Sequence, residues 1–196
     1  MMDFEKSNIE KKVKPALCHE WGHVIAEYLL YGTLKHIQRI YVEDVPLGVY
    51  GHTDSFRFYT DYEVPGNPKS PLCCYQKNNS VEKEIMVLLA GKVAERVCGY
   101  SGGRFTFDSS DKMKIEELTS NRRLVTLLRA KTEELLLPTK SILEELTKKS
   151  LNEYPKERDE NYEKHYTVCK DEINEWLEAL LPEHLRPKEI SFTKSN

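Results

Sequence analysis

The sequence predicts an α+β, mostly helical domain, with a central helix packed among further core helices, a small antiparallel sheet and a C-terminal helical hairpin. Three observations carry this expectation. Apolar residues recur at helical spacing over most of the chain, one stretch between residues 35 and 58 is instead rich in β-branched and aromatic residues, and Gly or Pro punctuates the segment ends. At 196 residues the chain has room for one well-buried core, so 1–196 reads as a single domain, a core over 15–137 followed by a helical extension over 138–196.

The first helix is expected from Pro15 to Leu30, because Pro suits a first helical turn and Gly32 supplies a left-handed stop. At about 100° per residue, His19, His23, Ala26 and Leu30 share one face while Leu17, Trp21, Val24, Ile25 and Tyr28 cover the rest, so this helix is apolar almost all round and central. Ile37, Ile40, Tyr41 and Val42, then Val49 and Tyr50, then Phe56 and Phe58 are divided by Pro46 and Gly48 and predict the sheet. Residues 61–80 hold Pro65, Gly66, Pro68 and Pro71 and read as a long loop. Val81 to Cys98 predicts a second core helix ending at Gly99, and a third runs from Asp108 to Leu137, where Pro138 stops it. Ile142, Leu143, Leu146 and Leu151, then Tyr162, Tyr166, Cys169, Ile173, Trp176, Leu177 and Leu180, predict the two helices of the hairpin.

Composition narrows the function classes. Twenty-nine basic against 32 acidic residues leave a net charge of −3, which supplies no general attraction for phosphate backbones and argues against a nucleic-acid partner. The most apolar stretch, Val24 to Tyr31, is broken by Glu27 and is far short of the roughly 20 residues of a membrane span. The first residues lack the apolar run of a secretory signal, and five cysteines without a C-x-x-C spacing read as reduced thiols; both predict a cytoplasmic protein.

His19-Glu20-Trp21-Gly22-His23 is an H-E-x-x-H motif on a predicted helix. Residues i and i+4 lie one turn apart on one face, so both imidazoles can reach a single zinc at about 2.0–2.1 Å, with Glu20 beside them. Zinc acidifies a bound water, and Glu20 can take its proton as general base. The competing reading is a pair of core histidines satisfied by carbonyls; helix placement and Gly22 favour the metal. Two histidines leave zinc short of a third protein ligand, for which the residues offer Asp111, Asp108 and Glu95. Asp111 also reads as the third residue of a helix capped by Asp108, where a carboxylate opposes the helix dipole. Glu95, in an apolar helix, needs a partner: a ligating histidine, or Arg96 or Arg104. The longer H-E-x-x-H-x-x-G-x-x-H pattern is absent, since Ala26 and Leu29 occupy its later positions.

Three ordered blocks, Ala16 to His23, Ile85 to Arg96 (IMVLLAGKVAER) and Asp108 to Lys112 (DSSDK), resemble the peptidase domain of the FtsH-type ATP-dependent zinc metalloproteases over roughly residues 15–125. They are similar to that family's H-E-A-G-H, its L-L-G-G-x-A-A-E helix and its A-S-N-D-L segment. The resemblance implies zinc held by His19, His23 and Asp111, with Glu20 catalytic and 15–137 the catalytic core. A fourth block, Leu47 to Thr53, is similar to the family's A-L-G-Y-T strand, which implies that Gly51 and Thr53 lie along a bound peptide. Trp21 replaces a small residue of the family and is expected to narrow or reshape the adjoining cleft. The chain contains no G-x-x-x-x-G-K-[ST] phosphate loop, and Gly99 to Arg104 reads as a connector.

The expected function is therefore zinc-dependent, ATP-independent hydrolysis of peptide bonds in flexible or unfolded polypeptide by Glu20-assisted attack of zinc-bound water, leaving open a homo-oligomer or a separate ATPase partner. The alternatives are a stand-alone regulatory protease that cuts one specific protein and a non-catalytic zinc-binding interaction module; retention of Glu20 counts against the second, since a structural site needs no base.

Overall fold

The computed structural model describes residues 2–34, 37–45, 48–55, 81–100, 109–154 and 164–186. The elements in order are α1 (Met2–Tyr31), β1 (Ile37–Val45), β2 (Gly48–Ser55), α2 (Val81–Val97), α3 (Ser109–Leu118), α4 (Arg122–Leu136), α5 (Lys140–Glu153), β3 (Lys164–Cys169) and α6 (Lys170–Leu180), with short 3-10 turns at Leu137–Thr139 and Glu183–Leu185. The fold class is α+β and mostly helical, with a small antiparallel sheet. Phe56, Phe58, the 61–80 loop, Asp108 and the Tyr100–Phe107 connection beyond Tyr100 fall outside the described residues.

α1 runs through the middle. Val13, Leu17, Trp21, Val24 and Ile25 are all fully buried, as expected of a helix apolar on every side. It begins earlier than Pro15, which stands inside it at the loss of one backbone hydrogen bond. The preceding residues, rich in Glu and Lys, are good helix formers and continue the helix across that break. Gly32 ends it in the left-handed conformation, φ 71°, with its N–H on the Tyr28 carbonyl at 2.8 Å. α2 ends in the same way at Gly99, φ 77°: Tyr100 N–H reaches the Glu95 carbonyl at 2.7 Å and Gly99 N–H the Arg96 carbonyl at 3.0 Å, the paired bonds of a Schellman stop.

Two sequence expectations are corrected. The helix from Asp108 to Leu137 is two helices, because the Asn121 side chain accepts hydrogen bonds from the N–H groups of Arg123 and Leu124, each at 3.1 Å, and caps a new start at α4. The C-terminal hairpin is interrupted by β3, which pairs antiparallel with β1, Ile40 opposite Val168 and Val42 opposite Tyr166, giving the strand order β2-β1-β3. Tyr166 and Val168 are buried while Thr167 and Cys169 are exposed, a period of two. The helical period holds only from Ile173 onward, through Trp176 and Leu177. The 138–196 extension shares the main core: Leu143, Leu146, Val168, Ile173 and Trp176 pack in one cluster with α1. Among the described residues, no helix is long and apolar enough to cross a membrane.

Candidate metal centre

The centre lies where α1 crosses α2. A Cβ at Gly22 would stand 2.6 Å from the Ala90 carbonyl oxygen and 2.6 Å from the Ala94 Cβ, so only glycine lets the two backbones approach this closely. Gly91 plays the reciprocal part on α2, since a Cβ there would collide with the His19 ring. The crossing brings α2's acceptors to α1's histidines. His19 Nδ1 is 2.7 Å from Glu95 Oε1, and His23 Nδ1 is 2.7 Å from the Val87 carbonyl oxygen. With each Nδ1–H donated in this way, each Nε2 faces forward and, in the neutral ring, presents its lone pair there.

Asp111, in the first turn of α3, meets both Nε2 atoms. Its Oδ2 is 3.2 Å from His19 Nε2 and 3.3 Å from His23 Nε2. The three ligand atoms lie within 4.8 Å of one another, a group that can hold a metal ion. The edge of a tetrahedron with ligands about 2.0–2.1 Å from its centre is about 3.3 Å, so the two Nε2–Oδ2 separations already match a zinc-sized polyhedron. The charge balance fits a cation as well: Glu20, Glu95 and the two histidines are 3–6% exposed, and so many buried carboxylates need positive charge among them.

Glu20 is held from β2. Thr53 Oγ1 donates to Glu20 Oε2 at 2.8 Å, and a Cβ at Gly51 would lie 2.8 Å from Glu20 Oε1. Gly51 and Thr53 therefore both face the Glu20 carboxylate. Glu95 sits on the Nδ1 side of His19, away from Asp111, and also accepts from Lys92 Nζ at 3.3 Å; Arg96 pairs instead with Glu133 at 3.2 Å. Trp21 does not narrow a cleft. It is fully buried, stacked on Trp176 with centroids 5.8 Å apart, and donates from Nε1 to Ser150 Oγ at 2.9 Å. One helical step of about 100° carries it away from its neighbours Glu20 and Gly22 toward the C-terminal layer.

The protonation states follow from this packing. Burial opposes charge on His19, but its hydrogen bonds to the Asp111 and Glu95 carboxylates and the charge of Glu20 outweigh it and raise the imidazole to about 10. Burial likewise opposes charge on His23, and Asp111 reverses it to a net rise. Against the cost of its own burial, Asp111 is held far below the usual carboxylate range by His23 and His19, and Glu95 is lowered by His19 and Lys92.

Sequence reasoning anticipated His19, Glu20, His23, Asp111 and Glu95, and the structure brings all five together. It missed the Val87 carbonyl, which carries no side-chain signal, and the close-approach role of Gly91, whose only trace is a glycine amid the buried run Ile85 to Ala94. No family model matches the chain and no curated protein matches it, so the function is argued from this geometry.

Proposed function

We propose that the protein is a zinc metallopeptidase of the FtsH-like kind that hydrolyses peptide bonds in flexible or unfolded polypeptide of the cytoplasm. The observation that carries this reading is the convergence of His19 Nε2, His23 Nε2 and Asp111 Oδ2 beside the buried carboxylate of Glu20, which stands outside that group. A structural zinc site closes with four protein ligands, whereas a hydrolytic one has three and an adjacent base. Among the described residues the set is three, and Glu20 is the base.

His19, His23 and Asp111 would hold the ion, and zinc when bound supplies acidification of water and polarisation of a carbonyl oxygen. The chain supplies the rest. Thr53 fixes one Glu20 oxygen by donating to Oε2, leaving Oε1 to accept the proton of the attacking water. Glu20 then hands that proton to the departing amine, so the carboxylate is restored with each turnover. Glu95 and the Val87 carbonyl keep both imidazoles in the tautomer whose Nε2 is a ligand. Gly51, by lacking a side chain, keeps Oε1 unobstructed.

The test is Glu20→Gln in the full chain, with bound zinc and cleavage of unfolded casein measured together. Zinc is expected to stay at about one per chain while cleavage falls at least about 100-fold, the scale of a lost general base. Undiminished cleavage removes Glu20 from the mechanism. Zinc retention with no cleavage even by the unaltered protein overturns the peptidase reading in favour of a non-catalytic zinc module.

A further inference from the structure

Beside the metal centre, α2, α3 and α4 enclose an open pocket of about 510 Å³, within the range of ligand-binding clefts. Its floor is apolar, made by Leu88 and Leu89 of α2, Ile115 of α3 and Val125 of α4. Among the described residues its charged lining is mostly basic: Lys92, Lys112, Arg122 and Arg129 against the carboxylate of Glu116, which lies 3.9 Å from Lys112 Nζ. This concentration of basic groups stands on a chain whose net charge is −3, so composition does not account for it.

The pocket adjoins the centre through three consecutive pairs. Leu88 follows Val87, whose carbonyl accepts from His23; Lys92 follows Gly91, which faces His19, and itself donates to Glu95; Lys112 follows Asp111. On each helix the pocket residue is the next in sequence after a residue at the centre, so α2 and α3 carry both sites on adjoining faces. Lys112, Arg122 and Arg129 are exposed at its rim, whereas Leu88, Leu89 and Ile115 are buried at its base.

We infer that this pocket is a substrate subsite for an acidic segment of polypeptide, one that places an apolar side chain on the Leu88–Leu89–Ile115–Val125 floor and carboxylates against Lys112, Arg122 and Arg129. The inference rests on the peptidase reading and gives that reading a substrate class. A polyphosphate or nucleic-acid backbone would satisfy the cations equally but leaves four apolar side chains unused, and the walls form a cavity rather than a continuous basic track. An acidic peptide with one bulky apolar residue uses both.

The test employs two fluorescein-labelled 12-residue peptides of equal length with the same Leu and Phe residues, one carrying four Glu and the other Gln at those positions, and measures anisotropy at low salt with the zinc-loaded Glu20→Gln protein. The Glu peptide is expected to bind about tenfold more tightly than the Gln peptide, a preference that weakens in 0.5 M salt, as exposed ion pairs do. Arg122→Gln/Arg129→Gln should abolish the preference while leaving binding of the Gln peptide unchanged. Both arginines are exposed on α4 and touch neither His19, His23, Asp111 nor Glu20, and unchanged circular dichroism and zinc content would verify the fold of this variant. Equal binding of the two peptides, or a preference that survives the double variant, overturns the inference. So does a dT12 oligonucleotide that binds more tightly than the Glu peptide and loses that affinity in the double variant. With the unaltered protein, tight binding of the Glu peptide without its cleavage defeats the peptidase reading alone, whereas cleavage of both peptides at equal rates defeats the subsite alone.

Discussion

Two flanks of α1 are built by opposite means. Toward α2 the contact is made of the smallest residues, Gly22 against Ala90 and Ala94 and Gly91 against His19, so that backbones nearly touch and polar atoms meet at 2.7 Å. Toward the C-terminal layer it is made by a large ring: Trp21 stacks on Trp176, and behind that pair Tyr154 lies 5.8 Å from Tyr166 and Lys149 sits 4.0 Å over the Trp176 ring. The neighbours Trp21 and Gly22 serve opposite flanks. The first flank sets angles and distances for a ligand cluster, and the second buries the apolar area that keeps α1 in place. Precision and bulk are thus separated on one helix, and substitutions should separate them too.

The largest effect is expected on the bulky flank. Trp176→Ala removes a buried ring, 4% exposed, and should cost about 3–5 kcal/mol of folding stability in urea, while zinc affinity of the protein that remains folded changes by less than about twofold. A parallel collapse of zinc affinity would show that the flanks are coupled. Asp111→Asn should do the opposite. It keeps a side chain of the same shape in the first turn of α3 but removes the anionic oxygen, so a competition titration with a chelating dye should show zinc affinity down by about 100-fold or more.

Glu95→Gln sharpens the comparison, because Glu95 meets the His19 ring at Nδ1, on the side away from Asp111. Loss of the charged acceptor should lower zinc affinity about tenfold, less than at Asp111, with His19 still a ligand. An effect equal to that of Asp111→Asn would place Glu95 among the ligands themselves.

The smallest effect needs no substitution. In chelator-treated protein, His19 is raised from 6.5 to about 10, so its stabilising charge is fully present below pH 6.5 and is lost as pH rises through about 10. Asp111 is lowered from 3.8, so its contribution is present above about pH 3.8 and is lost as pH falls. The melting temperature of the zinc-free protein should therefore peak between about pH 4 and 6.5 and fall a few degrees toward pH 9. Zinc displaces the His19 proton, so the alkaline decline should vanish in the loaded protein. A decline that persists with zinc bound would assign it to groups outside the cluster.

The residues most legible in the sequence are those whose relation is local. His19, Glu20 and His23 are placed by helical period alone, and the glycine stops at Gly32 and Gly99 by the need for positive φ. β3 was misread because Tyr166, Cys169 and Ile173 satisfy a helical period by chance, and the competing period of two becomes visible only once β1 offers Ile40 and Val42 as partners. The break before α4 contains neither Gly nor Pro; Asn121 makes it by accepting two backbone N–H groups, a role that shows only once the chain has turned there.

Sequence alone therefore settled the fold class, the central helix and the two imidazoles on one of its faces, since each depends on neighbours within a turn of the chain. The fold had to bring Asp111 across 92 positions to His19, choose Glu95 for Nδ1 and a backbone carbonyl for the other ring, and turn Trp21 away from the site. These are matters of distance between segments whose approach is governed by side-chain volume at Gly22 and Gly91, and volume at a crossing acquires meaning only when the facing helix is in place.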